Sequence, residues 1–243
     1  MEVKLIGHTK LSDSFLETLN EQLQLDVVEG NITDGQAIAL SAIRTCYSPN
    51  EPSEIVNTEA SKYFGKVAKD GQGGTEADRL IRHIINSGHT STMEHINFTF
   101  AIEGVSRSLL AQLTRHRHFS YSVQSQRYVK FGSDDKAQGF DYVTPHTVEN
   151  NVPKLYEEYM STIQDMYDTL RNVYKIPAED ARYLLPNAAT CNLVFTGNLR
   201  SILEFCSKRG NGTHAQWEIQ ELAERIKEEV IKVEPWSESF YNK

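Results

Sequence analysis

The chain has 243 residues, enough to bury a full core as one domain over residues 1–243, although length alone also permits two. Its 39% apolar and 24% charged content is ordinary for a soluble globular protein, and no apolar run approaches transmembrane length, so no membrane partner is expected. A formal net charge of -8 argues against bulk binding to nucleic acid, which usually needs a broad basic face. Cys46, Cys191 and Cys206 are far apart and form no CxxC pair, which points to a reducing compartment and against a disulfide framework or zinc knuckle. No apolar stretch behind a basic leader opens the chain, so no secretory signal is read and a cytoplasmic location is expected.

Residues 3–6 predict a short opening strand, and residues 37–42 are apolar enough for a helix that ends before Pro49. Gly71-Gln72-Gly73-Gly74 invites a dinucleotide fingerprint but fails it, because Glu76 stands at the third glycine position and no buried strand precedes it. A turn is expected there, and any flavin or nicotinamide must be held by a different architecture. Thr75 caps a helix to about Ser87, in which Ala77, Leu80, Ile81, Ile84 and Ile85 recur at helical spacing. Asp78 completes a variant capping box with Thr75, and Gly88 is the stop. A loop over 89–94 leads to a half-buried strand, where Ile96, Phe98, Phe100 and Ile102 alternate with Asn97, Thr99, Ala101 and Glu103.

Residues 105–114 predict a helix with Leu109, Leu110 and Leu113 inward, on which Gln112 and Arg115 share a face. Residues 119–126 are polar and aromatic without helical periodicity and read as a loop; 132–139 is a polar linker too short to require a domain boundary. Pro153 occupies the first turn of a long helix whose inner stripe is Leu155, Tyr159, Ile163, Met166, Leu170 and Val173. Pro177 restarts a short helix carrying Arg182, and Pro186 ends it. Cys191, Leu193 and Phe195 alternate as a second strand, and amphipathic helices over 198–208 and 214–233 follow, closed by Pro235.

The chemistry concentrates in one window. No Asp or Glu occurs from position 104 to 133, yet the window holds Arg107, Arg115, Arg117, Arg127 and Lys130. The simplest cause is a polyanionic ligand, repelled by carboxylates and clamped by guanidinium groups. Neighbouring helical residues splay by roughly 100°, so Arg115, His116 and Arg117 cannot form one flat helical patch. Either they serve three different contacts, or the helix ends and the backbone turns. Gln112 and Ser125 add the amide and hydroxyl donors that a phosphate accepts.

Two other readings compete. His83, His89, His95, His116 and His118 are five of the eight histidines and raise a metal-dependent nucleotide hydrolase; no HExxH or nearby cysteine supports a ligand set, and no metal is expected. Phe119, Tyr121 and Tyr128 beside arginines raise a non-catalytic nucleotide or single-stranded RNA-binding module. Cys191 on a strand face and Cys206 on a helix stripe read as inert packing. Arg200, four residues before Glu204, reads as half of an exposed ion pair, whereas Arg209 before Gly210-Asn211-Gly212 reads as functional, because glycine allows close backbone approach to a ligand.

Arg115-His116-Arg117, seven residues and then Ser125 resembles the signature of the flavin-dependent thymidylate synthases. Gly88-His89 through Glu94-His95, Ala181-Arg182 with Leu184-Leu185-Pro186, the stretch 198–209 and His214-Ala215-Gln216-Trp217-Glu218 resemble further blocks of that family, in order along the chain. The resemblance implies an enzyme of α+β fold around a mostly antiparallel central sheet flanked by helices, assembled as a homotetramer with active sites at subunit interfaces. It implies reductive methylation of dUMP to dTMP, with methylenetetrahydrofolate as carbon donor and FAD, reduced by NADPH, as hydride source. Carried over by position, Gln112, Arg115, Gln124, Ser125, Gln126, Arg127, Arg182 and Arg209 would bind dUMP. Ser91, Arg115, His116, Arg117, Asn198 and Arg200 would contact FAD, and Arg209 would be the catalytic residue that activates the uracil. The family is thought to need no cysteine nucleophile. Ser122 and Val123 depart from the Asn and Glu common at those positions; Glu204 replaces a common amide or imidazole and is expected to pair with Arg200 instead.

Overall fold

The computed structural model describes residues 1–241. Four strands, β1 (Glu2–His8), β2 (Asn97–Ser106), β3 (Ser120–Val123) and β4 (Thr190–Asn198), form an antiparallel sheet of order β1-β2-β4-β3 within an α+β fold. Helices α1 (Asp13–Leu16), α2 (Glu21–Val28), α3 (Asp34–Thr45), α4 (Ile55–Tyr63) and α5 (Glu76–Asn86) separate β1 from β2. Helix α6 (Arg107–Leu113) links β2 to β3. Between β3 and β4 lie α7 (His146–Asn151), α8 (Pro153–Asp168) and α9 (Ala178–Ala181), and after β4 come α10 (Leu199–Arg209) and α11 (Trp217–Val233). Contacts divide the chain into two compact units: Met1–Lys4, Ala101–Phe195 and Trp217–Ile219 form the first; Leu5–Phe100, Thr196–Gln216 and the chain from Gln220 onward form the second.

The second unit follows its sequence pattern closely. Thr33 and Gln36 make a reciprocal capping box at the start of α3, as Thr75 and Asp78 do for α5. Gly88 ends α5 at φ 80°, and the amides of Gly88 and His89 close on the carbonyls of Ile85 and Ile84. The Gly71–Gly74 stretch is the expected turn: Gly71, Gly73 and Gly74 have positive φ between the bridged residues Val67 and Thr75. Phe98, Phe100 and Ile102 are fully buried along β2, each such side chain stabilising the fold by roughly 1.5–3 kcal/mol. Two polar knots tie the helices. Arg44 of α3 meets Glu59 of α4 at 2.6 Å, while Ser48 and Asn50 donate to the same carboxylate. Glu234 accepts from Gly35 N, Thr33 Oγ1 and the Trp236 indole, and a Cβ at Gly35 would lie 2.5 Å from that carboxylate.

Several expectations change. Strand β2 runs on to Ser106, so α6 starts at Arg107 rather than 105; α11 starts at Trp217 rather than 214. Residues 89–94 are not an open loop, because Thr90–His95 winds as a 3-10 turn. The presumed loop over 119–126 contains β3, a sheet-edge strand whose exposed and half-buried positions alternate without a fully apolar face. The largest change is the rotation of α8. Leu155, Tyr159 and Met166 face outward, and Val173 beyond the helix end is exposed as well; the buried side chains are Met160 and Tyr167. Tyr167 packs with Phe131 and Ala181. Gln164 turns inward too: its amide donates to Phe131 O and its carbonyl accepts from Phe140 N. A helix face that satisfies backbone groups with a glutamine outranks the more apolar stripe.

Candidate functional site

In the first unit, α6 delivers the basic cluster. Every early amide of this short helix has a partner, as buried N–H groups require. Ser106 N donates to Glu218 at 2.8 Å, Arg107 N to Ala189 O, and Ser108 N to Asn187 O. Leu109 N donates to Ser106 Oγ, whose own hydroxyl donates to Glu218 at 2.6 Å. Glu218 is 3% exposed, so this clamp is sealed from water. Beside it, Trp217 stacks on His146 with ring centroids 4.4 Å apart.

The far end of α6 resolves the helix dilemma. The helix stops at Leu113, and Arg115-His116-Arg117 lies beyond it. His116 N donates to Leu113 O, closing a turn with Thr114 and Arg115 at its centre. Arg115 and Arg117 are exposed, while His116 is half-buried against Phe119. Gln112 is half-buried one turn earlier. After β3 the chain turns again: Ser125 Oγ accepts from Arg127 N, a role that leaves its hydroxyl hydrogen to donate elsewhere. Gln124 is half-buried and its backbone N–H donates to Asn192 O, and Gln126 is buried.

The basic window is not wholly without carboxylates. Arg127 meets Glu179 of α9 at 3.1 Å, and Arg182 Nε donates to the Glu179 carbonyl at 3.0 Å. One residue therefore brings Arg127 and Arg182 together. Arg127 and Glu179 are both about half exposed (53% and 49%), so their pair is worth at most ~1 kcal/mol. Charge-assisted hydrogen bonds donated to a phosphate, at roughly 1.5–3 kcal/mol, exceed that. Of the aromatics considered for base stacking, Phe119 is buried and Tyr121 half-buried in the same cluster, whereas Tyr128 is 80% exposed.

In the second unit, Asn198 caps α10 by accepting from Ser201 N with its side-chain oxygen, and its side-chain N–H groups are donors. Arg200, two residues on, forms an ion pair with Glu94 rather than with Glu204, which instead binds Lys208. Arg200 lines a cleft of about 410 Å³ with Thr90, Met93, Leu203, Glu204 and Ser207. Ser91 is exposed on the adjoining 3-10 turn. Arg209 ends α10, where the helix dipole favours a cation, and is half-buried before the Gly210–Gly212 turn.

The cysteines are placed as expected. Burial raises the Cys191 thiol pKa and pushes that of Cys206 up to about 12; Cys46 is exposed. Neither buried thiol is prepared to act as a thiolate nucleophile. Among the described residues no group of three or more His, Cys, Asp or Glu is placed to hold a metal ion, so the histidines at 83–118 do not form the ligand set that the hydrolase reading requires. No helix among the described residues is long and apolar enough to cross a membrane.

Comparison with known proteins identifies the family and the fold. Residues 28–236 match the family model described as thymidylate synthase complementing protein. The chain is 38% identical over 217 residues to a flavin-dependent thymidylate synthase of Clostridium tetani, covering 82% of this chain and 79% of that one. It is 36% identical over 208 residues to another from Geobacter sulfurreducens, covering 83% and 80%. The fold resembles a crystal structure of the Helicobacter pylori flavin-dependent thymidylate synthase complexed with FAD and dUMP, with a TM-score of 0.62 at 24% identity over 94% and 93% of the two chains. It also resembles a UMP/dUMP methylase of Streptomyces cacaoi, with a TM-score of 0.71 at 20% identity over 99% and 94%. The chain belongs to the flavin-dependent thymidylate synthase family.

Proposed function

We propose that this protein is a single-domain enzyme that methylates dUMP reductively to dTMP, working as a homotetramer with active sites at subunit interfaces. The observation that carries the reading is the family match over residues 28–236, which contains every site position named above. Gln112, Arg115, Gln124, Ser125, Gln126, Arg127 and Arg182 hold the nucleotide. The guanidinium groups of Arg115 and Arg127 take the phosphate dianion, with the Ser125 hydroxyl donating a third contact. As phosphate arrives, Arg127 exchanges the Glu179 carboxylate for the stronger anion.

Arg209 is the catalytic residue. Ionisation at uracil N3 places negative charge on the ring, and a fixed guanidinium favours that state. Electron density then rises at C5, which bonds to the methylene carbon of methylenetetrahydrofolate without a covalent enzyme adduct, while the methylene–nitrogen bond breaks to leave tetrahydrofolate and C5 gives up its proton. The buried state of Cys191 and Cys206 supports a route that uses no thiol.

The residues present also fit a flavin dinucleotide. Arg200 in the wall of the 410 Å³ cleft and the Asn198 amide supply donors for a pyrophosphate, with Ser91 on the adjoining turn. By the family resemblance Arg115, His116 and Arg117 would also contact the flavin. When bound, FAD reduced by NADPH supplies the hydride that completes the methyl group. The purified protein is expected to bind FAD, to lose flavin absorbance on addition of NADPH, and to form dTMP from dUMP and methylenetetrahydrofolate. A colourless protein that takes up no added FAD would sink the proposal.

A further inference from the structure

The turn that carries Arg115 is held by one phenol. Tyr121 lies on β3, and its hydroxyl reaches Leu113 O at 2.7 Å and His116 O at 2.8 Å. Those two carbonyls are the first and last of the turn whose central residues are Thr114 and Arg115. Leu113 O is also one of the last helix carbonyls, a group with no partner inside the helix. The ring itself cannot drift. It packs on Phe195 with centroids 5.8 Å apart and meets Phe119 at 6.3 Å, while Phe119 and Phe195 meet at 4.4 Å. Phe195 is fully buried on β4, and β4 is the sheet neighbour of β3. The guanidinium of Arg115 thus stands on a turn fastened to the sheet, instead of on a frayed helix end.

We propose that Tyr121 is a positioning residue for nucleotide binding, acting through the shape of the Leu113–His116 turn. This rests on the reading that Arg115 holds the phosphate of dUMP. A guanidinium must present two N–H groups in the plane of its anion, so a turn shaped in advance lowers the cost of ordering it on binding. Burial raises the Tyr121 pKa well above its ordinary value, so the hydroxyl stays protonated and its effect does not change across neutral pH.

The test uses FAD-loaded full-length protein. Tyr121→Phe keeps the ring and removes only the bridging hydroxyl. The expected result is a dUMP Kd raised about tenfold, the size of one lost hydrogen bond, with kcat at saturating dUMP within about twofold and the flavin spectrum unchanged. Ile55→Val is the stability control: it removes one methylene from the cluster that Ile55 shares with Leu40, Tyr63 and Ala77, and should lower Tm while leaving the dUMP Kd within about twofold. Wild-type protein that binds dUMP, with an unchanged Kd in Tyr121→Phe, overturns the inference alone. An equal rise in Ile55→Val also overturns it, because lost stability would then account for the effect. Wild-type protein that binds FAD but no dUMP overturns both this inference and the reading beneath it.

Discussion

Arg209 shows what a single side chain is being asked to do. It sits at the last position of α10, where aligned peptide dipoles already favour a cation and a glycine turn follows. Arg209→Ala is expected to cut kcat for dTMP formation by at least about 100-fold, while FAD binding, read from the flavin spectrum, stays intact. Unchanged turnover would remove Arg209 from the chemistry. The settings of Arg115 and Arg209, past a helix end and before a glycine turn, were legible in the sequence. The partners of Arg127 and Arg200 were not. Glu179 lies 52 residues from Arg127 and Glu94 lies 106 from Arg200. The carboxylate-free window made Arg127 look unneutralised, and helical spacing pointed Arg200 at Glu204. Only folding decides which carboxylate arrives.

At the scale of elements, short helix α6 depends on its first turn. Ser106 caps it and also donates to Glu218, so Ser106→Ala removes an N-cap and leaves one oxygen of a buried carboxylate without its hydroxyl donor. A loss of about 1–3 kcal/mol in unfolding free energy is expected, measurable by urea titration; a change under about 0.5 kcal/mol would show the clamp to be dispensable. The pair between α3 and α4 predicts a pH effect. Burial of the Glu59 carboxyl opposes its ionisation, but hydrogen bonds from Ser48 and Arg44 outweigh that and hold its pKa below the ordinary 4.5. The folded value lies beneath the unfolded one, so the stabilisation is fully present above about pH 4.5 and is lost as pH falls through the folded pKa. Wild-type Tm should therefore fall more steeply than that of Glu59→Gln between about pH 5 and pH 3; parallel curves would refute the assignment. Element types were readable where one local signal dominated, as with the capping box of α5 or the alternation along β2. They were misread where a polar side chain faces inward, since Gln164 on α8 looks like a solvent residue until the carbonyl of Phe131 is seen to need it.

For the molecule as a whole, the proposed homotetramer makes a direct statement about mass. Light scattering on the FAD-loaded protein at micromolar concentration should give four times the 27.6 kDa of one chain; a monomer that turns over dUMP would refute shared active sites. The outward stripe of α8 also explains why composition alone read as ordinary: apolar residues spent outside the core count the same as those within it. The two tryptophans have a practical consequence. Trp217 lies in the first compact unit and Trp236 in the second. One indole rests on an imidazole and the other donates to a carboxylate, so they occupy chemically distinct environments. Each unit therefore carries its own fluorophore, and single replacements by phenylalanine turn the native chain into a pair of optical gauges that follow the melting of the two units separately.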